Sequence, residues 1–183
     1  EFRRVLFRSP IYNMVEEQVC CGGPPPPKSP PYARPGYTLC SFVERLEATQ
    51  AGPVPVVCTR RSWSDLAGTV LVRLGFKRNR YLVAPGLYAV GAPDRSAPVL
   101  VTANYKLSFD TLRFALPGMH LWLLVLDTCG INVWCAAGKG TFSTQELVFR
   151  VESSGLAKLV DHRRLIVPQL GATGISALQV KKQ

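Results

Sequence analysis

The residues Asn132-Val133-Trp134-Cys135-Ala136-Ala137-Gly138-Lys139 carry the most pronounced chemistry in the sequence. They place one soft donor, Cys135, early in a short run of small residues. Asn132 is a good helix N-cap, which makes Cys135 the third helical residue. Backbone N–H groups at that position lack helical partners and the dipole favours negative charge, so a sulfur there is suited to attack or to bind a metal. Ala136, Ala137 and Gly138 have almost no side chains, and a broad flat group can lie against such a backbone. A soft donor beside a bare face points to a large planar metal cofactor more than to a small substrate. On residue type alone the alternative stands that Cys135 is a buried, inert thiol.

The elements that must position this stretch are legible around it. Leu121 to Leu126 is an apolar run of strand length, and Val99 to Thr102 and Leu165 to Val167 read as further strands. Ser108 caps a helix carrying Phe109, Leu112, Ala115 and Leu116, which Pro117-Gly118 stops. Ser143-Thr144-Gln145-Glu146 is a capping box, with Phe142 and Leu147 placed as a hydrophobic staple, and that helix runs to about Ser154. Gly155 suits its C-terminus. Gly171 to Gly174 is a turn before a final helix. Upstream, Ser62 to Leu74 is a helix with an S-x-x-D start at Ser62 and Asp65 and a stop at Gly75. Its stripe of Trp63, Leu66, Ala67, Val70, Leu71 and Leu74 reads as core. Phe42 to Glu47 reads as a short helix, and Tyr81 to Ala84 and Leu87 to Val90 as strands hinged at Pro85-Gly86.

Alternating strands and helices predict an α/β fold: a Rossmann-like parallel sheet with flanking helices and a short cysteine-bearing cap helix at the carboxyl edge. Ligands of such sheets sit beyond the carboxyl ends of the strands. Here those ends are 102–106, 127–132 and 168–174. Thr102, Asn104 and Tyr105 offer hydroxyl and amide donors at that edge, so the topology brings them to the side where Cys135 lies.

The octapeptide resembles the cap-helix motif of the corrinoid protein of microbial mercury methylation. Pro35-Gly36-Tyr37, Gly52-Pro53-Val54-Pro55, Pro85-Gly86-Leu87-Tyr88-Ala89-Val90-Gly91, Thr102-Ala103-Asn104-Tyr105-Lys106, Leu126-Asp127-Thr128 and Pro168-Gln169-Leu170-Gly171-Ala172 are similar to that family in its order, from about Pro35 to Lys182. The resemblance implies a corrinoid cofactor with Cys135 as the lower axial ligand to cobalt and a methyl group on the upper face. A thiolate opposite the methyl would leave it electron-rich, suited to transfer as a carbanion or radical to Hg(II). Asn132 would cap the helix beside the sulfur, Val133, Ala136, Ala137 and Gly138 would lie under the ring, and Trp134 would pack or form a wall beside it. Lys139 would bond a ring amide or cap helix carbonyls. Gly171, Ala172 and Gly174 would let the cofactor's nucleotide tail approach the backbone. Implied partners are a small 4Fe-4S ferredoxin that returns cobalt to its reduced state, a methyl-donor protein of the one-carbon pathway, and the inner membrane. The membrane would be reached through a further C-terminal domain, with this soluble portion on the cytoplasmic face.

The chain has 183 residues, 47% hydrophobic and 19% charged, enough for one domain with a real core. No run approaches the roughly 18 apolar residues of a membrane span. Residues 1–9 resemble translated sequencing-adaptor sequence, 10–34 a disordered proline-rich tail, and 35–183 the corrinoid-binding domain. The net charge of +10 raises nucleic acid as a partner. The basic residues are scattered in small clusters, which reads as solvated surface or as a face for anionic lipid headgroups, and not as a nucleic-acid site. Six cysteines without a Cys-x-x-Cys pair suggest thiols in a reducing compartment. Cys20-Cys21 is a vicinal pair able to catch a soft ion such as Hg(II). Cys129 is a spare thiol that could compete for metal. His120 and His162 lack a D-x-H-x-x-G context and read as structural.

Three other readings compete with this one. The fold also resembles the corrinoid domain of the corrinoid iron–sulfur protein, a methyl carrier of acetyl-CoA synthesis, although those domains do not carry this cysteine helix. Gly138-Lys139-Gly140-Thr141 hints at a phosphate loop, but Val133 stands where a glycine is needed and Gly140 where Ser or Thr is needed. A cysteine hydrolase using Cys135 with His120 or His162 lacks any fixed geometry.

Overall fold

The computed structural model describes residues 40–76 and 81–180. The segments 1–9 and 10–34, the Cys20-Cys21 pair and Lys77 to Arg80 lie outside the described residues. The elements run β1 (Val43–Thr49), β2 (Gly52–Val57), α1 (Trp63–Arg73), β3 (Gly86–Val90), β4 (Val99–Ala103), α2 (Lys106–Arg113), β5 (Leu121–Leu126), α3 (Val133–Gly138), α4 (Thr144–Ser153), β6 (Leu165–Ile166) and α5 (Ala177–Val180). A 3₁₀ helix, Gln169–Gly174, lies between β6 and α5.

The fold is α/β, as the alternating pattern predicts. One six-stranded sheet has the order β1-β2-β3-β5-β4-β6. β5 lies inside it, and all six of its residues are buried. A run without polar alternation belongs on a strand covered on both faces. Its side chains alternate between two cores. Trp122, Leu124 and Leu126 join Val99, Val101, Phe142 and Leu147 on one side. Leu121, Leu123 and Val125 join Phe42, Tyr88 and Phe109 on the other. α3 and α4 therefore cover one face and α2 the other.

The sheet is mixed, where the pattern suggested a parallel one. β4 runs parallel to β5 and to β6, but β3 runs antiparallel to β5, and β1 to β2. The short loop 91–98 returns the chain at the same end of the sheet, so β4 must run opposite to β3. β5 then enters between them. Tyr81 to Ala84 forms no full strand, only a bridge between Leu82 and Tyr105.

Two local expectations fail for tertiary reasons. Phe42 to Glu47 is not helical, because 43–49 pairs with 52–57 across a tight turn whose Gly52 has φ +105. Phe42 itself is anchored between rings, 5.1 Å from Phe109 and 6.4 Å from Tyr88. The second concerns α1. Its capping box forms as expected, with Ser62 and Asp65 exchanging bonds. Its apolar stripe is not core: Trp63, Leu66, Val70, Leu71 and Leu74 are all exposed. The helix instead buries Asp65, which meets Lys106 Nζ at 3.2 Å and Arg113 Nη2 at 2.7 Å. α2 begins at Lys106 and not after Ser108, since the Lys106 backbone N–H donates to Tyr81 and its ammonium joins the same buried ion cluster.

Candidate functional site

The carboxyl ends of β4, β5 and β6 lie along one edge, because these three strands are parallel. The loop 127–132 leaves β5 there and leads into α3. Asn132 is extended (φ −65, ψ 160), and its Oδ1 accepts the Cys135 backbone N–H at 2.9 Å. The cap therefore forms as the sequence predicts, and Cys135 is the third residue of the helix. Trp134 and Cys135 are exposed, while Val133, Ala136 and Ala137 face inward. Gly138 and Lys139 are exposed at the C-terminal end, where the Lys139 N–H donates to the Cys135 carbonyl at 3.0 Å.

The small residues of α3 serve a different purpose from the expected one. Ala136 and Ala137 do not present a bare outer surface; they are buried in the core. α3 packs against the 3₁₀ helix Gln169–Gly174. A Cβ at Gly174 would overlap the Phe142 carbonyl, and one at Gly171 would overlap the Phe142 ring. In the structure Gly171 and Gly174 thus admit Phe142, whereas the sequence suggested that they admit a cofactor tail. Ala172 is half-buried between them.

The polar residues expected at the edge form the floor of the site. Thr102, Asn104 and Tyr105 are all buried. Asn104 spends its whole amide on the next loop. Its Oδ1 accepts the Thr128 N–H at 2.8 Å, the Thr128 hydroxyl at 2.6 Å and the Gly130 N–H at 3.2 Å, and its Nδ2 donates to Asp127 Oδ1 at 3.0 Å. Asp127 Oδ1 also accepts the Cys129 N–H at 2.9 Å. Cys129 has φ +51, an uncommon conformation for a residue with a Cβ, and this web of bonds holds it there.

A second buried layer was not legible in the sequence as part of the site. The Ser143–Glu146 box starts α4 where expected, but its reciprocal bonds do not form, and Ser143 makes no side-chain cap bond. Glu146 turns inward, with Oε1 2.7 Å from Arg150 Nε and 3.2 Å from the Asp127 N–H. Its Oε2 is buried without a hydrogen-bond partner among the described residues. Burial pushes Asp127 up to about 6, against the opposing pull of the Cys129 N–H, Arg150 and Asn104. Burial also pushes Glu146 up to about 7; Arg150 opposes this and the Asp127 charge adds to it. Two carboxylates share one guanidinium here, so the trio approaches neutrality by keeping one proton.

His120 and His162 are tied to backbone. His120 Nδ1 accepts the Ala92 N–H at 2.9 Å, and His162 Nε2 lies 3.0 Å from the Ala97 carbonyl. Neither bond involves Cys135. Cys58 and Cys135 are free thiols, Cys135 exposed and Cys58 half-buried. No group of three or more His, Cys, Asp or Glu able to hold a metal ion occurs among the described residues. No helix among them is long and apolar enough to cross a membrane. At its outer surface the site is one exposed sulfur, the exposed Trp134 and Leu170, and a rigid polar floor.

Residues 77–181 match the family described as the CO dehydrogenase/acetyl-CoA synthase delta subunit. The chain is 37% identical over 98 residues to the acetyl-CoA decarbonylase/synthase complex subunit gamma of Methanocaldococcus jannaschii, covering 52% of this chain and 20% of that protein. It is 40% identical over 90 residues to subunit gamma 2 of Methanosarcina thermophila, covering 47% and 19%, and 35% identical over 92 residues to the gamma subunit of Archaeoglobus fulgidus, covering 49% and 20%. The chain spans about a fifth of the length of these relatives. These matches correct the expectation drawn from the octapeptide. The family and the relatives are those of acetyl-CoA chemistry, so assignment as a mercury methyltransferase, with Hg(II) as acceptor, is withdrawn.

Proposed function

The chain belongs to the family of the CO dehydrogenase/acetyl-CoA synthase delta subunit, and we propose that it is the corrinoid-binding module of a methyl carrier in one-carbon metabolism, in which Cys135 would bind the metal of the corrinoid. The observation that carries this reading is the exposed Cys135 sulfur on a capped helix at the joint carboxyl edge of β4, β5 and β6. One thiol without companions cannot hold a free ion, since protein sites for such metals use three or four protein donors. It does fit a metal whose other positions are filled by a macrocycle. The residues present therefore suit a corrinoid, and unsuit a bare ion.

A corrinoid bound there would supply a cobalt centre able to carry a methyl group. The chain's own residues would do the rest. Cys135 would donate sulfur to the metal, and Asn132 would hold the turn that presents it. Trp134 and Leu170 would cover apolar edges of the macrocycle and exclude water. Asn104, through Asp127, Thr128 and Gly130, would keep the loop beneath α3 from moving as the ligand binds. A methyl-donor protein and a small iron–sulfur electron donor are the partners that such a carrier requires. The relatives are named as subunits of a complex, and the same arrangement is proposed for this chain.

The test is anaerobic reconstitution of the chain with methylcobalamin, followed by visible spectroscopy beside Cys135→Ala. The parent is expected to show a sulfur-ligated cobalt spectrum and the variant to lose it. Binding with identical spectra would remove Cys135 from the metal, and no binding by either would remove the corrinoid.

A further inference from the structure

α1 is mounted with its apolar stripe outward, and the residues it buries are Asp65 and Val72. Trp63 is 86% exposed and Leu74 68%, and Leu66, Val70 and Leu71 are open along the same helix. Phe76, just past its end, is exposed as well. The orientation is fixed by specific chemistry on the buried side. Asp65 is held by Lys106 and Arg113, both themselves buried, and by the Ser62 N–H at 3.0 Å. Burial works against its charge, yet the Ser62 backbone, Arg113, the Ser62 hydroxyl and Lys106 together hold its carboxyl well below the usual carboxylate range. A Cβ at Gly68 would overlap the Tyr81 hydroxyl, so the helix also packs directly on the end of the Tyr81 side chain. Rolling the apolar stripe inward would take Asp65 out of a buried ion cluster and leave Lys106 and Arg113 with Asp110 as the one carboxylate between them, a buried excess of positive charge.

The charge around this face selects what covers it. Arg60 and Arg61 precede the helix and Arg73 ends it, and all three are exposed. Asp65 is the only carboxylate between residues 58 and 76, and it is buried. A second copy laid antiparallel would bring Arg60 and Arg61 against Arg73 of the first, and a parallel copy would set each arginine beside its equivalent. Self-pairing is thus opposed and an anionic occupant favoured. Trp and Phe near the two ends, Leu and Val between them, and arginines at the margins form the pattern of a helix lying in a bilayer interface. α1 also precedes the residues that match the family, so this face is separate from what the chain shares with it.

We infer that the outer face of α1, Trp63, Leu66, Val70 and Leu74 with Arg60 and Arg73, docks on an anionic lipid surface, with the helix axis in the plane of the headgroups. The inference is independent of the proposed function, because Cys135 and its loop take no part in it. The test is flotation of the full 183-residue chain with vesicles of phosphatidylcholine alone and of phosphatidylcholine mixed with phosphatidylglycerol. The parent is expected to float with the anionic vesicles and to partition at least roughly ten-fold less onto the neutral ones, two cations near an anionic surface being sufficient for that difference. Trp63→Ala with Leu74→Ser should abolish flotation. Arg60→Glu with Arg73→Glu should remove the preference for anionic vesicles. All of these positions are exposed, and an unchanged circular dichroism spectrum would verify the fold. No flotation, or flotation untouched by either pair of substitutions, would overturn the assignment and leave this face to a protein partner.

Discussion

The side-chain oxygen of Asn132 accepts the backbone N–H of Cys135 at 2.9 Å, so the residue that starts the helix also holds the backbone of the proposed metal ligand. α3 is only six residues long and has no propensity to stand alone. Asn132→Ala should cost about 1 kcal/mol of global stability, the usual value of a lost cap. Its larger effect should be local. Iodoacetamide labelling of Cys135, read by peptide mass, should change in rate relative to Cys58, which lies on a different segment. Equal rates in parent and variant would show that the cap does not control how the sulfur is presented.

Asn104 is buried and has four hydrogen bonds to 127–130. Asn104→Ala leaves the Thr128 and Gly130 N–H groups without an acceptor. A destabilisation of about 2 to 4 kcal/mol is expected from unpaired groups of this kind. It should appear as a lower urea midpoint with an unchanged m-value. A change under about 1 kcal/mol would mean that water replaces the amide and that the loop is not pinned as described.

Gly174→Ala sets a Cβ against the Phe142 carbonyl, and backbone cannot swing aside as a side chain can. The expected loss is about 1 to 3 kcal/mol, typical of overpacking. Gly138→Ala is the matched control, since nothing lies near its Cβ position. It should be neutral or slightly stabilising through helix propensity. If both substitutions had the same effect, close packing of the Gln169–Gly174 segment on Phe142 would not be what the glycine serves.

What the sequence disclosed depended on how local the cause was. β5 was readable to the residue because six apolar side chains in a row admit one environment. The starts of α1 and α3 were readable because Ser62, Asp65 and Asn132 act within three residues of themselves. The outward face of α1 was not, because Asp65 is turned inward by Lys106 and Arg113, far along the chain. Glu146 illustrates the same limit. It stands at a capping-box position, but Asp127 and Arg150 outcompete the N-cap for its carboxylate. Gly171 and Gly174 were read as places of close approach to a cofactor tail, while the group that approaches them in the fold, Phe142, is set by tertiary packing. The octapeptide pointed to α3, but the mercury chemistry it suggested is not that of the relatives the chain matches.

The Asp127–Glu146–Arg150 trio predicts a pH dependence with a definite sign. Both carboxyls are raised in the folded protein, to about 6 and about 7. An unfolded chain gives up these protons near pH 4, so between there and about pH 7 the folded state binds more of them. Stability then falls as pH rises through that window and levels off above it. Asp65 does not enter, because its carboxyl is held low, and its contribution is lost only when acid protonates it. The loss for the trio should be about 1 to 3 kcal/mol between about pH 5 and about pH 8, read from urea midpoints. Glu146→Gln removes one of the two competing carboxylates and leaves the Arg150 charge to Asp127, so its profile should be distinctly flatter and its midpoint relatively higher at alkaline pH. Two parallel profiles would show that Glu146 is already ionised in the fold, and that Arg150 outweighs the burial of its carboxyl.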